Sequence, residues 1–189
     1  MSDPKQTAGD LAYVRAKLEQ AEGHDAPGMI YFLWAVIVLV GFAIVDFAAQ
    51  YTAWFWMIAG PVGGITSFVL GWRHAVDRGA VSRDKALRHG LHWGGLLVAV
   101  IALLPLLVTG RIAPESFPQI VLLLIVMSYF YAGVHLDRAL IWVAIALSIG
   151  FLVVVFVAGP VWTAVGALIA ASLGAVGFTR VRQARAFAK

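Results

Sequence analysis

Six apolar segments of about 20 residues each take up most of the sequence, and they decide what class of protein it can form. They cover residues 29–48, 53–72, 91–109, 117–135, 139–158 and 161–178. Hydrophobic residues make up 61% of the chain and charged residues 13%, so a soluble fold would lack the polar surface that covers a core. The segments do not alternate polar and apolar residues as membrane-barrel strands do. The sequence therefore predicts an all-α integral membrane protein with six transmembrane helices.

The Lys and Arg residues are unequally divided between the two sides of these predicted helices. Of the 14 cations, all but Arg111 fall on one side. Because the cytoplasmic loops of membrane proteins carry an excess of Lys and Arg, both termini and the loop over residues 73–90 are predicted to be cytoplasmic. The same bias accounts for the net charge of +4 without a nucleic-acid partner. We therefore predict a multi-pass protein of the inner (plasma) membrane, in contact with the lipid bilayer.

The chain divides into three regions by composition. Residues 1–28 form a predicted cytoplasmic leader, residues 29–178 the transmembrane domain, and residues 179–189 a basic cytoplasmic tail. In the leader, apolar residues recur at spacings of three and four over residues 7–22, which predicts a short amphipathic helix.

The connections between the apolar segments indicate how the helices pair. Residues 49–52 and 159–160 are short connections, which favour antiparallel helical hairpins. The second, fourth and sixth segments also end alike, so we predict three hairpins that pack through the even-numbered helices. Small residues recur at every fourth position of two of these helices, where they allow close backbone approach. The candidate packing residues are Gly63, Ser67, Gly71, Gly166, Ala170 and Gly174.

Asp46 is the one acidic residue inside a predicted apolar segment. Ionisable residues within a membrane are costly and often functional. Asp46, however, lies close to the outer end of its segment, within reach of interfacial water. This position favours a hydrogen-bonded structural acid over a proton or cation site.

Four histidines are predicted to lie at one depth, at the cytoplasmic ends of the second, third and fourth helices. They are His74, His89, His92 and His135. His89 and His92 stand three residues apart, and Asp77 and Asp137 are close in sequence. Four imidazoles and a carboxylate can bind zinc, iron or copper, and two imidazoles can ligate haem.

The alternative is that these histidines are interface residues that bind no cofactor. Arg73, Arg88 and Arg138 neighbour them in sequence. These cations repel a metal dication and attract the phosphate of an anionic lipid headgroup. We favour this second interpretation, in which histidines and arginines contact lipid headgroups.

Three functions agree with this sequence. The favoured one is a non-enzymatic accessory, scaffold or regulatory subunit that associates with copies of itself or with another membrane protein. It is favoured because the segments carry no charged pathway, no catalytic motif and no soluble domain. The second is a metal- or haem-binding redox protein that uses the four histidines. The third is an oligomeric channel or small-solute transporter.

Overall fold

The computed structural model describes residues 26–77 and 83–187, and within these ranges the chain is all-helical, with no strand. The α-helices are α1 Gly28–Phe47, α2 Thr52–Asp77, α3 Arg83–Val108, α4 Phe117–His135, α5 Leu140–Phe156 and α6 Trp162–Phe187. Helices α1, α2, α3, α4 and α6 are long and apolar enough to cross a membrane. The amphipathic helix predicted over residues 7–22 lies outside the described residues.

Helix α5 is apolar but has only 17 residues, at the lower end of the range for a membrane span. Its start follows a turn in which the backbone N–H of Ala139 donates to Oδ1 of Asp137 at 2.9 Å. Beyond its end, Gly159 adopts φ +114, a conformation that favours glycine. These two turns make α5 shorter than the predicted segment 139–158.

The predicted loop over residues 73–90 is largely helical, which corrects the sequence interpretation. Helix α2 continues to Asp77 and α3 begins at Arg83. Hydropathy marks where the apolar surface ends, whereas a helix continues while its backbone hydrogen bonds can form. An ion pair of 2.8 Å between Arg88 and Asp84, four residues apart, supports the first turns of α3. For the same reason α6 extends through the predicted tail as far as Phe187.

The helices pack in the spatial order α2, α1, α6, α5, α4, α3. Helix α6 contacts both α1 and α5, and α5 contacts α4. Among the described helices, α2 contacts α1 and the short 3₁₀ turn Ala49–Tyr51, and α3 contacts α4 alone. Contrary to the prediction, the even-numbered helices therefore do not pack on one another. The bundle is joined instead through α1 with α6 and through α4 with α5.

The core lies among α1, α4, α5 and α6. Leu122, Val143, Ile169 and Leu173 are almost completely buried there. In α2 the only buried residue is Gly63, and no described side chain of α3 is buried. The two outer helices therefore present most of their surface to the surroundings of the bundle.

Candidate functional site

The carboxylate of Asp46 lies against the first turn of α6. Its Oδ2 accepts hydrogen bonds of 2.7 Å from the backbone N–H and from the hydroxyl of Thr163, and its Oδ1 accepts one of 3.3 Å from the N–H of Trp162. The first N–H groups of a helix have no acceptor within the helix, and this end carries partial positive charge. Asp46 of α1 therefore caps α6 from a neighbouring helix.

A second polar cluster, the Asp137 network, consists of Tyr31, Asp137 and Arg180. Nη2 of Arg180 donates to Oδ1 and Oδ2 of Asp137 at 2.5 and 2.6 Å. The hydroxyl of Tyr31 donates to Oδ2 at 3.0 Å. The network therefore links α1 and α6 to the turn between α4 and α5.

The ion pair of the Asp137 network is largely shielded from solvent. The side chains of Arg180 and Asp137 are 7% and 18% exposed. Among the described residues, Arg180 is the one charged residue that is buried. Its Nη1 donates to Oε1 of Gln183 at 3.3 Å, whereas Nε is buried without a hydrogen-bond partner. A buried charge deprived of its partner is strongly destabilising. The contact among α1, α6 and the turn between α4 and α5 therefore depends on this ion pair.

Sequence reasoning missed the Asp137 network. Arg180 counted only as one of the interface cations, and Asp137 only as an auxiliary metal ligand. The two residues are 43 positions apart, so no local spacing connects them. The available signal was that an acid in a short turn and a cation just past the sixth segment share one predicted membrane depth.

The predicted histidine site is not assembled by the described residues. His74 belongs to α2, which contacts neither α3 nor α4, so it is separated from the other three histidines. Within residues 26–77 and 83–187, no group of three or more His, Cys, Asp or Glu side chains could hold a metal ion. Asp137, the predicted auxiliary ligand, is instead bound to Arg180. The geometry thus gives no support to a shared metal, and metal binding stays a prediction.

His92 makes a polar contact between α3 and α4. Its Nε2 lies 3.1 Å from Oγ of Ser128. Next to this contact, the rings of Trp93 and Tyr129 meet edge to face, with centroids 5.2 Å apart. These residues join the first half of α3 to the second half of α4.

The arginines predicted to contact headgroups lie near helix ends, with Arg138 in the turn between α4 and α5. Arg73 and Arg138 are exposed, and Arg88 is exposed and paired with Asp84. Their exposure agrees with contact to a lipid headgroup, which stays a prediction.

The small residues of α2 pack on α1. A Cβ added to Gly63 would lie 2.8 Å from Cδ1 of Ile37, and Nε1 of Trp34 donates to Oγ of Ser67 at 2.9 Å. Gly71 is less tightly placed, since an added Cβ would lie 4.0 Å from Ile30. These small residues therefore form a contact between α2 and α1, the helix that precedes it in the chain.

The small residues of α6 also face α1, but only in part. A Cβ on Gly166 would lie 2.7 Å from Cβ of Phe42, whereas a Cβ on Gly174 would meet nothing within 4 Å. Ala170 is half-buried. Gly174 is therefore not the close-packing residue that its spacing predicts.

The closest approach of α1 and α6 uses glycines that the four-residue spacing does not reveal. A Cβ on Gly28 would lie 2.6 Å from the carbonyl oxygen of Gly177, and one on Gly177 would lie 3.0 Å from that of Gly28. The two backbones thus meet directly beside the Asp137 network.

An apolar groove of about 320 Å³ lies where α1 meets α2. Its lining residues are Ile44, Tyr51, Trp54, Phe55, Ile58 and Ala59. The lining brings hydrocarbon and aromatic surface, so the groove offers apolar contact rather than acid, base or metal chemistry.

No protein-family model, curated protein or solved structure matches this chain.

Proposed function

We propose that this chain is a non-enzymatic, multi-pass inner-membrane protein that acts as an accessory, scaffold or regulatory subunit. Its partner is another membrane protein or a second copy of the chain. The observation that carries this proposal is the exposure of α2 and α3. Each contacts one neighbouring helix among those described, and α3 has no buried described side chain. Two complete apolar helices are thus available for association within the bilayer.

The use of the charged groups supports the same function. Asp46 caps α6, and Asp137 binds Arg180 and Tyr31. A transport pathway requires polar groups that exchange partners with a proton, an ion or a solute. Here the acids hold helices together, which favours a structural function over a channel or a transporter.

The proposal includes three antiparallel hairpins with both termini in the cytoplasm. Contacts of α1 with α2, α3 with α4 and α5 with α6 support the pairing. Gly41 faces Trp56 and Gly63 faces Trp34, so α1 and α2 run in opposite directions. Arg73 and Arg138 lie at the end of the bundle predicted to be cytoplasmic.

Site-specific photocrosslinking in native membranes tests the proposed association. Photoreactive side chains replace Ile65 of α2 and Val98 of α3, both 66% exposed, and Leu152 of α5, 52% exposed, serves as control. We expect discrete protein adducts from α2 or α3, whose mass identifies a second copy or another polypeptide, and lipid adducts from α5. Lipid adducts at all three positions would contradict a scaffold function.

The same preparation, purified without a histidine tag, distinguishes the alternatives. Stoichiometric metal or haem that is lost in a His89→Ala/His92→Ala variant would replace the scaffold proposal with the redox function. Solute flux through proteoliposomes of the purified protein would replace it with the channel or transporter.

A further inference from the structure

Helix α2 contains one proline and three glycines within five consecutive residues near its middle. They are Gly60, Pro61, Gly63 and Gly64. Pro61 lies inside the helix, where it has no N–H to donate to the carbonyl oxygen of Met57. Glycine weakens a helix further, because its backbone is the least restricted. Sharp bends in helices occur mainly at such residues, so residues 60–64 are a candidate hinge.

The part of α2 before the hinge is held firmly on α1. The rings of Trp56 and Phe42 meet edge to face, with centroids 6.3 Å apart. A Cβ added to Gly41 would overlap the indole of Trp56, so this glycine gives the ring its place. The 3₁₀ turn Ala49–Tyr51 lies in the short connection between the two helices. The first turns of α2 are therefore fixed by aromatic packing and by the chain itself.

The part of α2 after the hinge is packed less tightly on α1. A Cβ added to Gly63 would lie 2.8 Å from Cδ1 of Ile37. A Cβ added to Gly71, about two turns later, would lie 4.0 Å from Cδ1 of Ile30. Among the described helices, α1 is the one neighbour of α2. The packing that holds α2 thus weakens beyond the hinge.

A hydrogen bond joins the two helices within this less tightly packed part. Nε1 of Trp34 donates to Oγ of Ser67 at 2.9 Å. When apolar helix surfaces separate in a bilayer, lipid chains replace their contacts at little cost. An indole N–H, by contrast, finds no acceptor among lipid chains. The Trp34–Ser67 hydrogen bond therefore favours the attached position of α2 more specifically than apolar contact does.

We propose that α2 is a hinged helix, in which residues 65–77 swing away from α1 about residues 60–64. The Trp34–Ser67 hydrogen bond is the latch that holds the helix closed. In such motions, a few residues absorb the change in backbone angles while the segments on either side stay rigid. The swing uncovers the face of α1 that carries Ile30 and Trp34. The inference concerns a motion within the chain, so it does not depend on the identity of a partner.

Spin-label distances measured in lipid nanodiscs test the hinge. The chain has no cysteine, so Val76→Cys on α2 and Ala175→Cys on α6 provide a labelling pair at two exposed positions. Because α1 lies between α2 and α6, a swing away from α1 increases this distance. Val76 lies about 22 Å along the helix from Pro61, so a bend of about 20° displaces it by about 8 Å. Met57→Cys with Leu168→Cys provides a control pair before the hinge.

Three substitutions separate the latch from the hinge. We expect the wild type to show mainly the short Val76–Ala175 distance, with a minor longer one. Trp34→Phe removes the N–H and keeps an aromatic ring, and Ser67→Ala removes the acceptor. Each should enlarge the longer-distance population about threefold or more. Pro61→Ala restores the missing N–H, so Trp34→Phe/Pro61→Ala should return the population to its wild-type size.

The control pair and the variants give clear contrary outcomes. An unchanged distance distribution in the latch variants would overturn the latch, and Ser67→Ala alone decides this point if Trp34→Phe does not fold. A longer-distance population that stays enlarged after Pro61→Ala would overturn the hinge. An equal increase in the control distance would mean that α2 leaves α1 as a whole, which also overturns the hinge.

Discussion

Asp46 and Thr163 are 117 positions apart in sequence, yet their side chains and backbone meet at 2.7 Å. This contact fixes the last turn of α1 to the first turn of α6. At the opposite ends of the same two helices, Tyr31 and Arg180 meet on Asp137. Polar contacts thus secure α1 and α6 near both ends, and the glycines between them allow close packing.

Removal of the Asp46 cap should destabilise the bundle. We expect Asp46→Ala to lower the free energy of unfolding by about 1–2 kcal/mol, because the first N–H groups of α6 lose their acceptor. Asp46→Asn retains an acceptor oxygen and should cost less. Thermal unfolding in detergent measures both. Equal losses in the two variants would indicate that the charge of Asp46 is required at the start of α6, whereas unchanged stability of Asp46→Ala would contradict a capping role.

The Asp137–Arg180 pair should show strong coupling between its partners. Each of Asp137→Leu and Arg180→Met should cost about 3–5 kcal/mol, because each leaves a buried charge without its partner. The double variant should be more stable than either single variant. A thermodynamic cycle from denaturant unfolding gives the coupling, and additive losses would refute the buried pair.

The hydroxyl of Tyr31 should make a smaller, separable contribution to the same network. Tyr31→Phe removes one hydrogen bond to Asp137 and should cost about 1.5–3 kcal/mol, since the acceptor is charged. In the Asp137→Leu background, the same substitution should have little effect. An undiminished effect there would show that Tyr31 acts through packing alone.

Two glycines of α6 should respond in opposite ways to the same substitution. Gly166→Ala should cost about 1–3 kcal/mol, because the new methyl would overlap Phe42. Gly174→Ala should be neutral or stabilising, because its Cβ meets nothing within 4 Å and alanine favours the helix. Equal melting temperatures of the two variants would contradict the observed α1–α6 packing.

Reporter fusions test the proposed orientation. Fusions after Lys189 and within residues 78–85 should report the cytoplasm, and a fusion at Ala113 should report the outer side. The reason is that Lys and Arg concentrate at the first two locations. A cytoplasmic signal at Ala113 would mean that the number or orientation of the spans is wrong.

Hydropathy predicted the helical class and the apolar helices, and it located both ends of α4 correctly at residues 117 and 135. It could not predict which faces meet. Helices such as α5 are apolar all round, and lipid is as apolar as a protein core, so composition does not distinguish the two. The end of α2 and the start of α3 also escaped prediction, because helical hydrogen bonding continues beyond the apolar surface.

The Asp137 network and the α1–α6 contact escaped prediction for a related reason. Their geometry depends on residues distant in sequence, and Gly28 and Gly177 carry no shared local pattern. Small-residue spacing located Gly63 and Gly166 but also selected Gly174, where the space is open. Spacing shows where close approach can occur, whereas the neighbouring helix decides where it does.

The packing of α1 on α6 has a consequence for biogenesis. Synthesis delivers α1 to the membrane before α6, so their contact, the most extensive among the described helices, cannot form until α6 has been inserted. Until then, Asp46 has no helix terminus to cap, and the glycine surface of α1 has no matching backbone. A translation product that stops before Trp162 therefore leaves α1 without its principal neighbour, and such a product should be a preferred substrate for membrane quality control.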